Sequence, residues 1–305
     1  MAAPMGPAGG RTTEAAAAPT ARATGGATTG AATGAATDGT ALHVREWSSS
    51  GEPWARVLIV HGIGEHSGRY ERTGRLMSEA GLDVHAFDLR GHGLSGGRRV
   101  YVREWEDFLD DVEVRLAALR RPGLPLVLFG HSMGALIALN YACSDRPAPD
   151  LLVLSAPPLA ARVPAWQRAL VPVLGRVAPN MVLANPIASE QLSRDPAVGV
   201  AYFADPLVQP RSTARLGARL MSAVKRAGKE LDRLKVPTLV IHGGADTLVP
   251  TSVSAPLGRL PGVERRVLPG LRHETLNEPE GPEVVAGIVD WLRARIADGI
   301  PVWQH

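Results

Sequence analysis

The 305-residue chain carries 33 Lys and Arg against 30 Asp and Glu, a formal charge of +3, and 45% of its residues are hydrophobic. This balance suits one large globular domain or two small ones, and it excludes collagen-like, coiled-coil and wholly disordered chains. No block of five like charges forms a stripe for nucleic acid, and the single cysteine, Cys143, leaves no internal disulfide, redox CxxC pair or Cys-rich zinc site.

Residues 1–38 hold 14 Ala, 8 Thr and 7 Gly with no aromatic residue, a composition that predicts a disordered segment without chemistry of its own. From Ala41 the run ALHVREW alternates like a half-exposed strand, and ARVLIVHG, ending at Gly62, reads as a buried strand. A helix is predicted over 69–80, a strand over 82–89, and a helix over 104–120 with Phe108, Val112 and Leu116 on one face. The strand PLVLFG ends at Gly130, and a helix runs from Met133 to about Ser144, followed by the strand LLVLSA at 151–156. Five prolines, Pro157, Pro158, Pro164, Pro172 and Pro179, then interrupt the rhythm until strand periodicity returns at Val236. The remaining elements are a strand over 236–243, a helix over 253–260, a strand over 264–270 and a helix over 282–297. Strands alternating with helices imply an α/β fold with a mostly parallel sheet flanked by helices. Its core would comprise residues 39–156 and 236–305, with a helical cap inserted at 157–235. No stretch of 18 apolar residues and no signal-peptide core is present, so the expected location is cytoplasmic.

GHSMG, residues 130–134, stands where an apolar strand runs into a helix. A serine on so sharp a turn is lifted above the sheet edge, and the helix behind it directs N–H groups towards a reacting carbonyl, with the Met133 amide as an oxyanion donor. Serine is a weak nucleophile and needs a base oriented by a carboxylate. Of the nine histidines, His273 is best placed, in LRHETLNEP after the last strand. His131, next to the serine, is expected to point elsewhere, and His85 is expected to pack within a strand. Asp246, in HGGADTLVP, lies at the same carboxyl edge of a parallel sheet, which gives the chain order Ser132, Asp246, His273 known from α/β-hydrolases. HGIGEHSGRY, residues 61–70, frees the backbone at Gly62 and Gly64 and makes the Ile63 amide the second oxyanion donor.

Together HGIGEHSGRY, FDLRGHGLSGGRR, GHSMG, LSRDP with ADPLV, and GLRHETLNEP resemble the monoacylglycerol lipase family, in order and spacing, over residues 40–297. The resemblance implies an α/β-hydrolase with a mobile lid that hydrolyses monoacylglycerols, a triad at Ser132, Asp246 and His273, and no cofactor or metal. It also implies a polar site for glycerol at Glu65, Arg69 and Tyr202. Some family members carry a second histidine three places beyond the catalytic one, where this chain has Leu276. Similar proteins are lysophospholipase-like, so the head group stays open between monoacylglycerol, lysophospholipid and a general carboxylic ester. A lipid-binding homologue without activity requires a broken triad, and all three members are present.

Trp166, Leu170, Val173, Leu174 and Val177 form one helical stripe across Pro172, which fits either packing on the core or an acyl channel with transient membrane-surface contact. Arg211, Arg215, Arg219, Lys225, Arg226 and Lys229 follow, as a solvated face or an attraction for anionic lipid. Gly91, Gly93 and Gly96 match GxGxxG, but no helix start follows, so no nucleotide is expected. His61, Glu65 and His66 are one residue too long for H-x-x-E-H.

Overall fold

The computed structural model describes residues 1–2, 29–160, 165–185 and 187–299. In chain order the strands are β1 (Thr29–Ala35), β2 (Ala41–Trp47), β3 (Ala55–Val60), β4 (Leu82–Phe87), β5 (Leu126–His131), β6 (Leu151–Ser155), β7 (Val182–Ala184), β8 (Arg211–Thr213), β9 (Thr238–Gly243) and β10 (Val263–Leu268). The α-helices are α1 (Glu71–Glu79), α2 (Glu106–Leu119), α3 (Met133–Ala142), α4 (Ala165–Val177), α5 (Ser189–Leu192), α6 (Pro196–Ala204), α7 (Ala214–Glu230) and α8 (Gly281–Ala297).

Eight strands form one sheet in the order β1-β2-β4-β3-β5-β6-β9-β10, while β7 and β8 make a small separate ribbon. From β4 to β10 every pairing is parallel, and the β1–β2 and β2–β4 pairings are antiparallel. Strand alternation divides the apolar residues between two faces. Leu58, Val60 and Leu128 join the cluster under α2, α3 and α7, whereas Val57, Ile59, Val127 and Phe129 join the one under α1 and α8. Burial on both faces explains why the inner strands read as continuous apolar runs rather than alternating ones.

Two expectations need correction. Residues 3–28 lie outside the described residues, but the end of the low-complexity segment is paired: β1 runs antiparallel to β2 from Thr29 against Trp47 to Ala35 against Ala41. Ladder hydrogen bonds need only backbone, so a run of Thr, Gly and Ala can join an edge without burying large side chains. Asp38 adds an anchor, accepting from Arg90 Nη1 at 2.8 Å. The helix expected over 253–260 is instead two 3₁₀ turns, Thr251–Ser254 and Leu257–Arg259. Pro256 lies between them and has no N–H for an intrahelical bond.

Between β6 and β9 the chain leaves the sheet for α4, β7, α5, α6, β8 and α7. On α7, Leu216, Ala223 and Ala227 are buried in the same cluster as Leu136 and Leu139 of α3, so this helix packs directly on the sheet's flanking layer. The stripe on α4 does not pack on the core. Trp166 is 64% and Val177 73% exposed, and Leu170 and Val173 are exposed as well. Among the described residues no helix is long and apolar enough to cross a membrane.

Candidate active site

Ser132 stands between β5 and α3 with φ 52° and ψ −117°, a left-handed conformation that costs a non-glycine residue on the order of 1–3 kcal/mol. Its backbone N–H donates to Ser155 O at 2.9 Å, which ties the turn to β6. The close approach of strand and helix rests on Gly134, where a Cβ would lie 2.1 Å from Val60 O. Met133, the first residue of α3, is buried behind the serine.

His273, after β10, and Asp246, after β9, meet at the same edge: His273 Nδ1 lies 2.7 Å from Asp246 Oδ2. The other Asp246 oxygen accepts from the Leu248 and Val249 amides at 2.9 and 2.8 Å. A histidine not singled out from sequence, His242 of β9, also approaches Asp246 Oδ2, at 3.3 Å, while its Nε2 lies 2.6 Å from Val249 O. Burial works to raise the Asp246 carboxyl, but hydrogen bonds from His242 and His273 outweigh it and hold the group well below the ordinary carboxylate range.

Ser132 and His273 line one pocket together with Ile63, Glu65, Arg69 and Tyr202. The loop after β3 is held from within. Glu65 Oε1 accepts from the Gly62 amide at 2.6 Å and from the Tyr70 hydroxyl at 2.8 Å, and its Oε2 accepts from Arg69 at 2.7 Å. Burial raises the Glu65 carboxyl, yet the charge of Arg69 brings it down to about 2. The loop is also tied to the segment after α6, since Gln209 N–H donates to Gly64 O at 2.7 Å and His66 Nε2 lies 2.8 Å from Asp205 Oδ2. Gly68 N–H donates to His66 Nδ1, so Nε2 carries the proton given to Asp205. Tyr202, on α6, lies under the Arg69 guanidinium at 4.8 Å, and its buried hydroxyl has no hydrogen-bond partner among the described residues.

Two lining residues differ from the sequence reading. His131 does not point elsewhere: its ring packs on that of His273 with centroids 4.9 Å apart, and its Nδ1 lies 3.0 Å from Ser155 Oγ. Glu274, not singled out from sequence, receives Arg69 Nη1 and Nη2 on its two oxygens at 2.7 and 2.8 Å. Leu276 is buried against α8 with Val285 and Ile288.

Three histidines around this region are buried in forms that resist protonation. His61 accepts the Leu89 amide on Nε2 at 2.9 Å, and burial is the first cause lowering its pKa. Burial likewise brings His92 down to about 3 and His131 down to about 4 from 6.5. Folded-state values below the unfolded one mean that the unfolded chain binds more protons in acid, so stability is complete above pH 6.5 and declines as the pH falls towards 4. A ring that stays neutral while its unfolded counterpart is protonated contributes a slope of about 1.4 kcal/mol per pH unit. Urea midpoints measured from pH 7 to 5 are expected to drop accordingly, and a flat profile would contradict neutral burial of these rings.

The chain matches a known family. The hydrolase family described as "Serine aminopeptidase, S33" matches residues 51–280. The chain is also 37% identical over 257 residues to the monoacylglycerol lipase of Mycolicibacterium smegmatis, covering 81% of this chain and 90% of that one. The chain belongs to the monoacylglycerol lipase family of α/β-hydrolases. Human monoglyceride lipase is 37% identical over 218 residues, covering 69% of this chain and 71% of its own. The crystal structure of the Paleococcus ferrophilus monoacylglycerol lipase superposes with a TM-score of 0.76 at 34% identity, over 83% of this chain and 98% of that one. Family membership accords with the parallel sheet, the strained serine between strand and helix, and the insertion between β6 and β9.

Proposed function

We propose that this protein is a serine hydrolase that cleaves monoacylglycerols to glycerol and fatty acid through an acyl-enzyme. The observation that carries the reading is the pocket shared by Ser132 and the Asp246-bound His273, because Leu248 lines both this pocket and a second, apolar cavity of about 600 Å³. Such a cavity lies within the usual range for small-molecule sites. Trp166, Leu170, Leu174, Leu220 and Met221 line it, so an acyl chain would lie there with its ester at Ser132. The names of the relatives point to the same substrate class.

In this reading His273 takes the Ser132 proton as the hydroxyl attacks the ester carbonyl, and Asp246 stabilises the imidazolium. The Ile63 and Met133 amides receive the oxyanion. Glycerol leaves with the proton from His273; water activated by the same imidazole then releases the fatty acid. Glu65, Arg69 and Tyr202 hold the polar end, where the Tyr202 hydroxyl is available to a substrate hydroxyl. Residues 157–235 serve as the cap. Its exposed side chains Trp166, Leu170, Val173 and Val177 would touch a lipid surface transiently. Basic attraction is the weaker support for that contact, because Arg219 and Arg226 are paired with Glu104 and Glu106 of the core.

A fluorophosphonate probe is expected to label Ser132 in the folded protein, and monoacylglycerol is expected to turn over faster than diacylglycerol or p-nitrophenyl butyrate. Absence of the label from folded protein would overturn the proposal.

A further inference from the structure

We infer that Glu274 is a specificity-determining residue that makes the polar end of this site reject anionic head groups, so that the substrates are esters of uncharged polyols rather than phosphorylated ones. The inference rests on the ester-hydrolase reading above and concerns the group beyond the scissile bond.

Among the described residues that line the pocket, Glu65 and Glu274 supply two carboxylates and Arg69 the one permanent cation. Three of the five guanidinium N–H groups are engaged by these carboxylates. Its Nη1 donates to both carboxylates, its Nη2 donates to Glu274, and the Tyr202 ring covers one face at 4.8 Å. Phosphate recognition by arginine uses a fork of free N–H groups, and here Glu274 occupies the fork formed by Nη1 and Nη2. Glu274 is itself fixed, with Asn277 Nδ2 donating to its Oε2 at 2.8 Å and its own N–H donating to Leu192 O at 2.8 Å. The other candidates for positive charge do not supply it. His131 is kept neutral by burial, and Leu276 occupies the place of the second histidine while packing against α8. A phosphate at the polar end would therefore meet a formal surplus of one negative charge, whereas hydroxyls would meet carboxylate acceptors and the Tyr202 hydroxyl, which has no partner among the described residues.

Repulsion of this kind corresponds to about a hundredfold in kcat/KM. The test compares three esters of one short acyl chain, used below their aggregation concentrations: the monoacylglycerol, its glycerol phosphate, and the dimethyl ester of that phosphate, which is larger but uncharged. The wild-type protein should cleave the first and third at comparable rates and the phosphate about a hundredfold more slowly. Glu274→Gln should narrow the gap between monoacylglycerol and phosphate by about tenfold or more. Equal rates on phosphate and monoacylglycerol would overturn the inference. So would equally poor rates on the phosphate and its dimethyl ester, which would make size the cause, or an unchanged gap in a folded Glu274→Gln protein. Should that variant not fold, the three wild-type rates decide alone. Failure to hydrolyse any of the three esters would instead count against the hydrolase reading itself.

Discussion

Alanine at position 132 is expected to lower ester turnover by about a million-fold while leaving the folded state within about 1 kcal/mol of the wild type. The two halves of this expectation have separate physical grounds. Turnover falls because the hydroxyl is the proposed attacking atom, and no neighbouring group replaces its oxygen. Stability holds because the serine side chain makes no capping bond at the start of α3, while the bond from its backbone N–H to Ser155 O is retained. Alanine keeps a Cβ and so keeps the strain at φ 52°; glycine would relieve it and raise the unfolding free energy by about 1 kcal/mol. Burst and steady-state release of fatty acid, measured beside urea unfolding, checks both halves. Substantial residual turnover in Ser132→Ala would remove this hydroxyl from the mechanism, and a stability loss of several kcal/mol would show that the side chain has a structural role.

What the sequence discloses is what short-range pattern encodes. GHSMG is legible because the strand before it, the helix after it and the two glycines all lie within about fifteen residues, so their periodicities can be read side by side. Asp246 and His273 are legible for a topological reason: each follows a strand, and parallel strands deliver their following loops to one edge. Glu274 is different. Its partner Arg69 lies 205 residues away, and nothing in HET marks the glutamate as the one that clamps that guanidinium. His131 was obscured by the very strain that marks the serine, since a left-handed residue breaks the side-to-side alternation by which neighbours on a strand face opposite ways. His242 had a weak signal, four places before Asp246, but a buried histidine on a strand reads first as packing. The β1 pairing had none, because low-complexity composition reports on side chains whereas ladder bonds are made by backbone.

The asparagine substitution at Asp246 tests the orientation of the base rather than the nucleophile, and it is expected to reduce kcat by about 10³–10⁴ with KM changed little. Asparagine has the same shape and can keep one oxygen facing the Leu248 and Val249 amides, which now donate to Asp246 Oδ1 at 2.9 and 2.8 Å. The atom facing His273 Nδ1 then becomes an amide nitrogen. At 2.7 Å from Nδ1 it donates where the carboxylate accepted, so the imidazole proton moves to Nε2, the nitrogen that receives the serine proton in the proposed mechanism. In the proposed mechanism the substitution also removes the negative charge that stabilises the imidazolium formed during acylation. His242 does not compensate, because its Nε2–H is already shared with Val249 O at 2.6 Å and it stands behind the carboxylate rather than beside the serine. Folding should tolerate the change better than catalysis does. The depressed Asp246 pKa marks stability present above its ordinary value of 3.8 and lost as the pH falls below it, so the wild-type advantage over Asp246→Asn should shrink in acid. Single-turnover rates with a soluble monoacylglycerol, followed alongside urea midpoints at pH 7 and in acid, separate the two effects. A loss of less than tenfold in kcat would assign the carboxylate a structural role and require another group to orient His273.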